Sequence, residues 1–199
     1  MPARPRLEHP DPLLRDDAVL LRPWAPADLP GLLAGFGDPV VQRWSWPLTT
    51  PYTARDAERF LHDQEQGRLE GEELQWAVVD PAAPGSVLGG ASLYGLAAEP
   101  GRGAVGYWLA PGGRGRGLAT RAVRLVAGWA FDRLGLSLLE LTCSPDNAAS
   151  ARVAERAGFV LERLLVADLP FRGRLRDSLL HVRRPAQAGE AAPTSRPAR

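Results

Sequence analysis

The positions of hydrophobic residues along the chain predict an alternation of short strands and amphipathic helices. Short runs rich in Leu, Val and aromatic residues end at Gly, Pro or Asp, as strands do. Longer segments repeat apolar residues three and four positions apart, which is typical of helices with one buried face. The predicted strands are 18–22, 74–79, 87–96, 104–109, 138–143, 159–166 and 178–183. The predicted helices are 28–36, 53–67, 117–134 and 147–157, with a short turn or helix at 40–46.

Capping residues mark the ends of several predicted helices. Asp28, Thr53 and either Asp146 or Asn147 precede helical patterns, where their side chains can accept hydrogen bonds from free backbone N–H groups. Gly135 and Gly158 follow helical patterns, where glycine closes a helix in the left-handed conformation. Pro- and Gly-rich segments separate the second, third and fourth strands and predict an antiparallel meander. The order of elements therefore indicates a mixed α/β fold in which helices are layered on a sheet.

The folded part of the chain is predicted to be one domain over residues 16–184. Residues 1–15 are rich in Pro and Arg, so we expect a flexible N-terminal tail. Residues 185–199 carry no large apolar side chain, so we expect a disordered C-terminal tail. The first residues lack the apolar run of a signal peptide, and no apolar run reaches the ~20 residues that span a bilayer. We therefore expect no membrane partner.

Composition removes several classes of function. The 199 residues carry 24 basic and 23 acidic side chains, a net charge of +1, which argues against general nucleic-acid binding. Every basic side chain is Arg, because the sequence contains no Lys, and this excludes P-loop and Schiff-base lysine chemistry. Cys143 is the single cysteine, so we expect a reducing cytoplasm. The three His residues lie far apart and predict no metal site.

A glycine-rich loop follows the fourth predicted strand and leads into the longest helix. Gly113, Gly115 and Gly117 allow backbone N–H groups to turn toward one point, and the helix start adds further free N–H groups. Arg114 and Arg116 add positive charge. This combination is typical of a phosphate or pyrophosphate site. The alternative, from composition alone, is a flexible turn with exposed arginines.

Three segments together resemble a known family. The segment RGRGLA at 114–119, after the strand GYWL, resembles the R/Q-x-x-G-x-G/A coenzyme loop of the GNAT superfamily of acetyl-CoA-dependent N-acetyltransferases. The segment NAAS at 147–150, followed by ERAGF, is similar to the second half of the same core. Within the superfamily, the chain is most similar to the RimJ/RimL-like branch of ribosomal-protein N-terminal acetyltransferases. The resemblance extends over about residues 18–184 and is most specific over 104–160.

The resemblance implies a mostly antiparallel sheet of about seven strands with helices on both faces. It also implies that strands 104–109 and 138–143 splay apart and hold the co-substrate acetyl-CoA between them, without a metal. The pantetheine arm would bond to strand backbone groups, and the pyrophosphate to amides of the loop. The implied coenzyme contacts are Trp108, Leu109, Ala110, Arg114, Gly115, Arg116, Gly117, Leu118, Ala119, Thr120, Asn147 and Ser150.

In the implied reaction, an acceptor amine attacks the thioester carbonyl directly in a ternary complex, and backbone N–H groups near Leu109 stabilise the oxyanion. Ser150 would protonate the leaving thiolate, although a serine early in a helix also commonly bonds to the backbone. The glutamate base of many members is replaced here by Ala104. The candidate bases are Asp168, Glu99 and Glu140, and a water relay or no dedicated base also stays open.

The acceptor itself is the least constrained part of the prediction. Trp44 and Trp46 lie in a region that shapes the acceptor pocket in this family, although packing against the sheet explains them equally well. The implied acceptor is a primary amine, either a protein N-terminus or a small molecule, and a homodimer stays open. The missing glutamate at Ala104 leaves a second hypothesis, a catalytically inactive module that binds CoA as a sensor.

Overall fold

The computed structural model describes residues 5–45, 51–171 and 173–186. They form seven strands and five helices in the order that the hydrophobic pattern predicts, with short 3-10 turns at Pro26–Asp28 and Pro111–Gly113. The strands are β1 (Leu20–Pro23), β2 (Leu74–Asp80), β3 (Ala83–Tyr94), β4 (Arg102–Leu109), β5 (Leu138–Cys143), β6 (Val160–Phe171) and β7 (Arg174–Arg183). The helices are α1 (Leu29–Phe36), α2 (Pro39–Trp44), α3 (Ala54–Leu69), α4 (Leu118–Leu134) and α5 (Ala148–Arg156).

All seven strands belong to one sheet with the order β1-β2-β3-β4-β5-β7-β6. Neighbouring strands are antiparallel, as in the predicted meander, except that β4 and β5 are parallel. The predicted mixed α/β fold and mostly antiparallel sheet are therefore confirmed. The last hairpin is longer than predicted, because pairing resumes at Leu169 with Arg176 after a bulge that follows Leu165. Residues 167–177, predicted as a loop, thus belong mostly to the two strands.

Alternate residues of the central strands point to opposite faces of the sheet, and helices cover each face. On β2, Trp76 and Val78 pack in one core cluster together with residues of α4 and α5, including Val126. Ala77 and Val79 lie in a second cluster together with residues of α1, α2 and α3. The prediction of helices on both faces is therefore confirmed, and the middle of the sheet is buried from both sides.

β4 and β5 pair only at their first residues and then separate. The parallel register runs from the pair Arg102–Leu138 to the pair Ala104–Glu140 and ends there, although both described strands continue. On its other edge, β5 pairs with β7 from Leu139 to Cys143. A gap therefore opens between the two strands, as predicted, and the glycine-rich loop follows β4 on one side of it.

The predicted helix caps hold at Thr53 and Asn147 but not at Asp28. Thr53 forms a reciprocal capping box at the start of α3, and Asn147 caps α5. Asp28 directly precedes α1, yet its buried carboxylate accepts two hydrogen bonds of 2.7 Å from Arg22 and one of 2.8 Å from the Ala25 N–H. The guanidinium is the stronger partner because it both neutralises and hydrogen-bonds the buried charge.

Residues 5–15, predicted as part of a flexible tail, pack against the folded domain. The Leu7 N–H donates to the Arg68 carbonyl at 3.0 Å, and Arg68 Nη1 donates to the Leu7 carbonyl at 2.6 Å. Leu7 and Leu14 also contact the core cluster that α4 covers. The predicted C-terminal tail lies, from residue 187 onward, outside the described residues.

Replacement of glycine by alanine should change the free energy of unfolding in opposite directions at two positions in helices. A methyl group added at Gly35 of α1 would overlap the ring of Trp108, whereas one added at Gly128 of α4 meets no atom within 4 Å. We expect Gly35→Ala to lower the free energy of unfolding by about 1–3 kcal/mol through overpacking. Gly128→Ala should raise it by roughly 0.5–1 kcal/mol, because alanine favours the helix. Urea unfolding of both variants measures this, and a gain at Gly35 would contradict the packing around Trp108.

Candidate active site

The glycine-rich loop is shaped by positions that favour glycine. A Cβ at Gly113 would lie 2.5 Å from the carbonyl oxygen of Leu88, so the loop packs directly against β3. Gly115 and Gly117 both have φ of 75°, in the left-handed region that glycine adopts without steric penalty. α4 begins directly after Gly117, so the chain reverses just before the helix.

Six consecutive backbone N–H groups, those of residues 115–120, have no hydrogen-bond acceptor among the described residues. In a helix each N–H group bonds four residues back, so the first turn of α4 leaves its own N–H groups free. The side chains of Leu118, Ala119 and Thr120 are buried, and the loop therefore presents mainly backbone. Because these groups coincide with the positive end of the α4 dipole, the loop can hold an anion such as pyrophosphate.

Arg114 holds the loop in place. Its Nε donates to the carbonyl of Leu109 at 3.1 Å, and its guanidinium forms an ion pair with Asp38, the residue that caps α2. The hydrogen bond from Arg114 is the main cause that lowers the pKa of Asp38 below its usual value. Arg116 pairs more loosely with Asp80, at 3.3 Å. The charge of Arg114, predicted to attract the coenzyme, is thus already paired and ties the loop to α2.

The backbone of β4 presents alternate residues to the gap beside β5. The Ala110 N–H donates to the carbonyl of Leu88, next to β3, at 2.9 Å. Since the backbone groups of successive strand residues point to opposite edges, Trp108 and Ala110 bond toward β3, and Tyr107 and Leu109 point toward the gap. Of the three strand residues predicted to bond the pantetheine arm, only Leu109 directs its backbone groups there.

The side chain of Trp108 anchors β4 from the other face of the sheet. Its ring stacks on Trp24, with 6.2 Å between the ring centroids, and is tilted against Phe36 at 4.6 Å. A Cβ at Gly90 would lie 2.5 Å from Nε1 of Trp108, so β3 approaches the indole closely. The Trp108 side chain therefore anchors β4, while the backbone of its neighbours Tyr107 and Leu109 forms the strand edge that faces the gap.

Ser150 lies at the start of α5, where it meets both separated strands. It is buried, and its N–H donates to Asn147 Oδ1 at 3.1 Å. The Tyr107 hydroxyl donates to Ser150 Oγ at 2.9 Å, and Ser150 also forms a side-chain hydrogen bond with Cys143. Burial raises the pKa of Tyr107 to about 12 and also raises the pKa of the Cys143 thiol. These side chains thus join β4, α5 and β5 across the gap.

Sequence reasoning selected Asn147 and Ser150 but missed Tyr107. A signal was present, because strand alternation puts Tyr107 on the same face as the buried Val105, toward α4 and α5. The serine partner lies 43 residues away in sequence, however, and no local spacing indicates that contact.

The three candidate bases lie in two places. Asp168 is exposed on the edge strand β6. Glu99 and Glu140 both pair with Arg102, Glu99 at 2.8 Å, at the end of the gap where the strands still pair. Glu140 is the register partner of Ala104. The position that lacks a glutamate on β4 therefore has a carboxylate beside it on β5.

Trp44 forms a contact between the end of α2 and the last hairpin. The guanidinium carbon of Arg43 lies 4.6 Å from the Trp44 ring centroid, and that of Arg176 lies 5.7 Å from it. Arg176 also lies over the ring of Phe171, at 3.7 Å. This arrangement is compatible with packing and with an acceptor pocket alike. Trp46, predicted together with Trp44, lies outside the described residues.

Comparison with known proteins decides the family. The sequence matches a family model described as an Acetyltransferase (GNAT) domain over residues 18–160. The chain belongs to the GNAT acetyltransferase family. It is therefore an acetyltransferase, and the matched region contains the gap, the glycine-rich loop and α5. The chain is 32% identical over 137 residues to "Probable N-acetyltransferase YjcK" of Bacillus subtilis, a match that covers 66% of this chain and 74% of the relative.

Solved structures share the fold of this GNAT acetyltransferase. RimJ of Mycobacterium smegmatis, in complex with CoA-disulfide, matches with a TM-score of 0.77 and 21% identity, over 87% of this chain and 85% of that chain. The ribosomal-protein-S5-alanine acetyltransferase of Vibrio fischeri matches with a TM-score of 0.76 and 21% identity, over 88% and 97%. The predicted likeness to RimJ/RimL-like proteins is thereby confirmed at the level of the fold.

The described residues, 5–45, 51–171 and 173–186, lack two kinds of feature. Within those residues, no helix is long and apolar enough to cross a membrane. The same residues include no group of three or more His, Cys, Asp or Glu side chains arranged to hold a metal ion.

The pair of Arg114 and Asp38 provides a test of how the loop is held. We expect Arg114→Gln and Asp38→Asn each to weaken CoA binding about tenfold, because each removes a charge-assisted hydrogen bond that fixes the loop. Asparagine still caps a helix well, so α2 is preserved. Calorimetric titration with CoA measures the effect, and Arg6→Gln, at an exposed ion pair, is the control. Unchanged or tighter binding by Asp38→Asn would instead mean that Arg114 acts as a free charge on the coenzyme.

Proposed function

We propose that this enzyme transfers an acetyl group from acetyl-CoA to a primary amine, by direct attack in a ternary complex. The observation that carries the proposal is the gap between β4 and β5, where the parallel register stops while both strands continue. An unpaired strand edge, six N–H groups without an acceptor in the described part of the chain and a buried serine hydroxyl all adjoin this gap. Each of these features suits one part of the coenzyme or of the reaction.

The coenzyme lies along β4 in this proposal. Its pantetheine arm carries amide groups and pairs with the backbone of Tyr107 and Leu109, as an added strand would. The pyrophosphate then reaches the N–H groups of residues 115–120, directly beyond the end of β4, where the α4 dipole favours negative charge. The choice of ligand is supported by two fold neighbours, a RimJ protein in complex with CoA-disulfide and a RimL protein in complex with coenzyme A.

The reaction needs a neutral amine, a stabilised oxyanion and a leaving thiolate. The amine nitrogen attacks the thioester carbon, a C–N bond forms, and the C–S bond breaks. In this proposal a backbone N–H near Leu109 that the pantetheine arm leaves free stabilises the oxyanion, and Ser150 donates a hydrogen bond to the leaving sulfur. A protein α-amine has a pKa of ~8, so a sizeable fraction is already neutral near pH 7 and needs little help from a base.

Asp168 and Glu140 are two candidates for the general base that accepts the proton of the amine. Asp168 is exposed on the last hairpin, and Glu140 stands beside Ala104 but already binds Arg102. Asp168→Asn and Glu140→Gln separate the two, since loss of a general base lowers kcat/KM by roughly a hundredfold. Small and equal losses in both variants would favour a water relay or no dedicated base.

We infer that the acceptor is the N-terminal α-amine of a protein. Two fold neighbours are named for protein acceptors, an S5-alanine acetyltransferase and a RimL L7/L12 alpha-N-protein acetyltransferase. A third neighbour, the microcin C7 self-immunity acetyltransferase MccE in complex with acetyl-CoA and AMP, keeps a small-molecule acceptor as the second candidate. A cytoplasmic location stays a prediction, supported by the free thiol of Cys143. A homodimer also stays a prediction, and sedimentation of the purified chain tests it.

Calorimetric titration with acetyl-CoA, followed by a turnover assay, tests the proposed function. We expect micromolar binding, and release of free CoA in the presence of a peptide that begins with an unblocked alanine. The same peptide with an acetylated N-terminus is the matched control, and it should release none. Absence of binding up to millimolar acetyl-CoA would contradict the coenzyme site. Binding without turnover on any peptide or small amine would favour the inactive CoA-binding module.

A further inference from the structure

Tyr107, Ser150 and Cys143 form a chain of hydrogen bonds at the gap. Tyr107 and Cys143 lie beyond the last register pair between β4 and β5, and strand alternation puts both on the face that α4 and α5 cover. Ser150 enters between them from the first turn of α5. The reaction as proposed above uses the serine but assigns no part to the tyrosine.

The direction of these hydrogen bonds follows from the chemistry of the groups. The Tyr107 hydroxyl donates to Ser150 Oγ at 2.9 Å, and burial keeps this phenol protonated at every working pH. Ser150 accepts that bond, so its own proton must point to another acceptor. The neighbouring acceptor in the free enzyme is the sulfur of Cys143, since Ser150 lowers the pKa of this thiol against the larger effect of burial. The serine hydroxyl is therefore already directed at a sulfur atom.

We propose that Tyr107 is a positioning residue, whose hydroxyl holds Ser150 so that the serine proton points at the sulfur of the leaving CoA thiolate. This inference rests on the proposed acetyl transfer. As the C–N bond forms and the C–S bond breaks, the electron pair of the C–S bond stays on sulfur, where the Ser150 hydrogen bond stabilises the charge. The thiolate then takes up, through solvent, the proton that the amine loses, and Tyr107 keeps its own proton throughout.

The tyrosine is needed because the hydroxyl of a serine in the first turn of a helix has other hydrogen-bond partners within reach. Such a hydroxyl readily rotates to bond to a nearby backbone group. The Asn147 cap holds the backbone of Ser150 but leaves its χ1 angle free. The bond from Tyr107 restricts this angle, and a donor into Oγ also strengthens the bond that the serine donates.

Steady-state kinetics with acetyl-CoA and the alanine peptide test the inference. We expect Tyr107→Phe to lower kcat roughly five- to tenfold, the loss of one hydrogen bond, while KM for acetyl-CoA stays unchanged. The double variant Tyr107→Phe/Ser150→Ala should be no slower than Ser150→Ala alone, because the tyrosine acts through the serine. Ser137→Ala, which removes an exposed hydroxyl bonded to the Gly101 carbonyl, is the control and should keep full kcat.

A second measurement needs no acetyl transfer. Cys143 is the single cysteine of the chain, so the NMR shift of its β-carbon reports the pKa of one thiol. Ser150→Ala should raise this pKa, because it removes the hydrogen bond that favours the thiolate. Tyr107→Phe should raise it as well, by less, because the serine proton is then no longer directed at the sulfur. Thermal unfolding of each variant verifies that the fold is kept.

The two measurements separate this inference from the proposed function. A kcat of Tyr107→Phe within twofold of the parent, or losses that multiply in the double variant, would overturn the positioning role. A Cys143 pKa that is unchanged in Tyr107→Phe would overturn it as well. If the parent enzyme turns over no acceptor while the thiol pKa responds to both substitutions, the proposed function fails and the orientation of Ser150 stands.

Discussion

The separation of β4 from β5 after the pair Ala104–Glu140 is the constraint on which the rest of the site depends. A strand edge within a fold carries N–H and C=O groups that are costly in free energy without partners. Tyr107 and Leu109 direct such groups into the gap, while β5 stays paired with β7 on its other edge. Arg114 reaches only the Leu109 carbonyl, and an extended ligand with amide groups suits the rest of this edge.

The neighbouring elements keep this edge in place without filling the gap. Trp108 anchors β4 on the opposite face through its contact with Trp24. Arg114 ties the loop that follows β4 to Asp38 at the start of α2. The Trp108 contact leaves the open edge untouched, whereas Arg114 also donates to the carbonyl of Leu109, so the ligand finds the N–H groups of the edge and of the loop without a partner among the described residues. The site is therefore built from backbone geometry more than from charged side chains, and one buried hydroxyl completes it.

Local pattern predicted most of the fold, because strand and helix periodicity and helix capping depend on residues only a few positions apart. Three features depend on distant contacts and could not be predicted in this way. Asp28 has the position of an N-cap, yet a guanidinium from β1 binds its carboxylate. The pair of Arg114 and Asp38 spans 76 residues. The bond from Tyr107 to the serine of α5 spans 43, so neither spacing nor composition reveals it.

Residue-resolved hydrogen exchange of the backbone amides, with and without CoA, tests most directly whether the coenzyme occupies the gap as an added strand. The account predicts that CoA slows exchange at Tyr107, Leu109 and residues 115–120. The amides of Trp108 and Ala110, which already bond toward β3, should change little, so the effect alternates along the strand. Unchanged exchange at Tyr107 and Leu109 in the presence of saturating CoA, or slowing confined to other parts of the fold, would contradict the account.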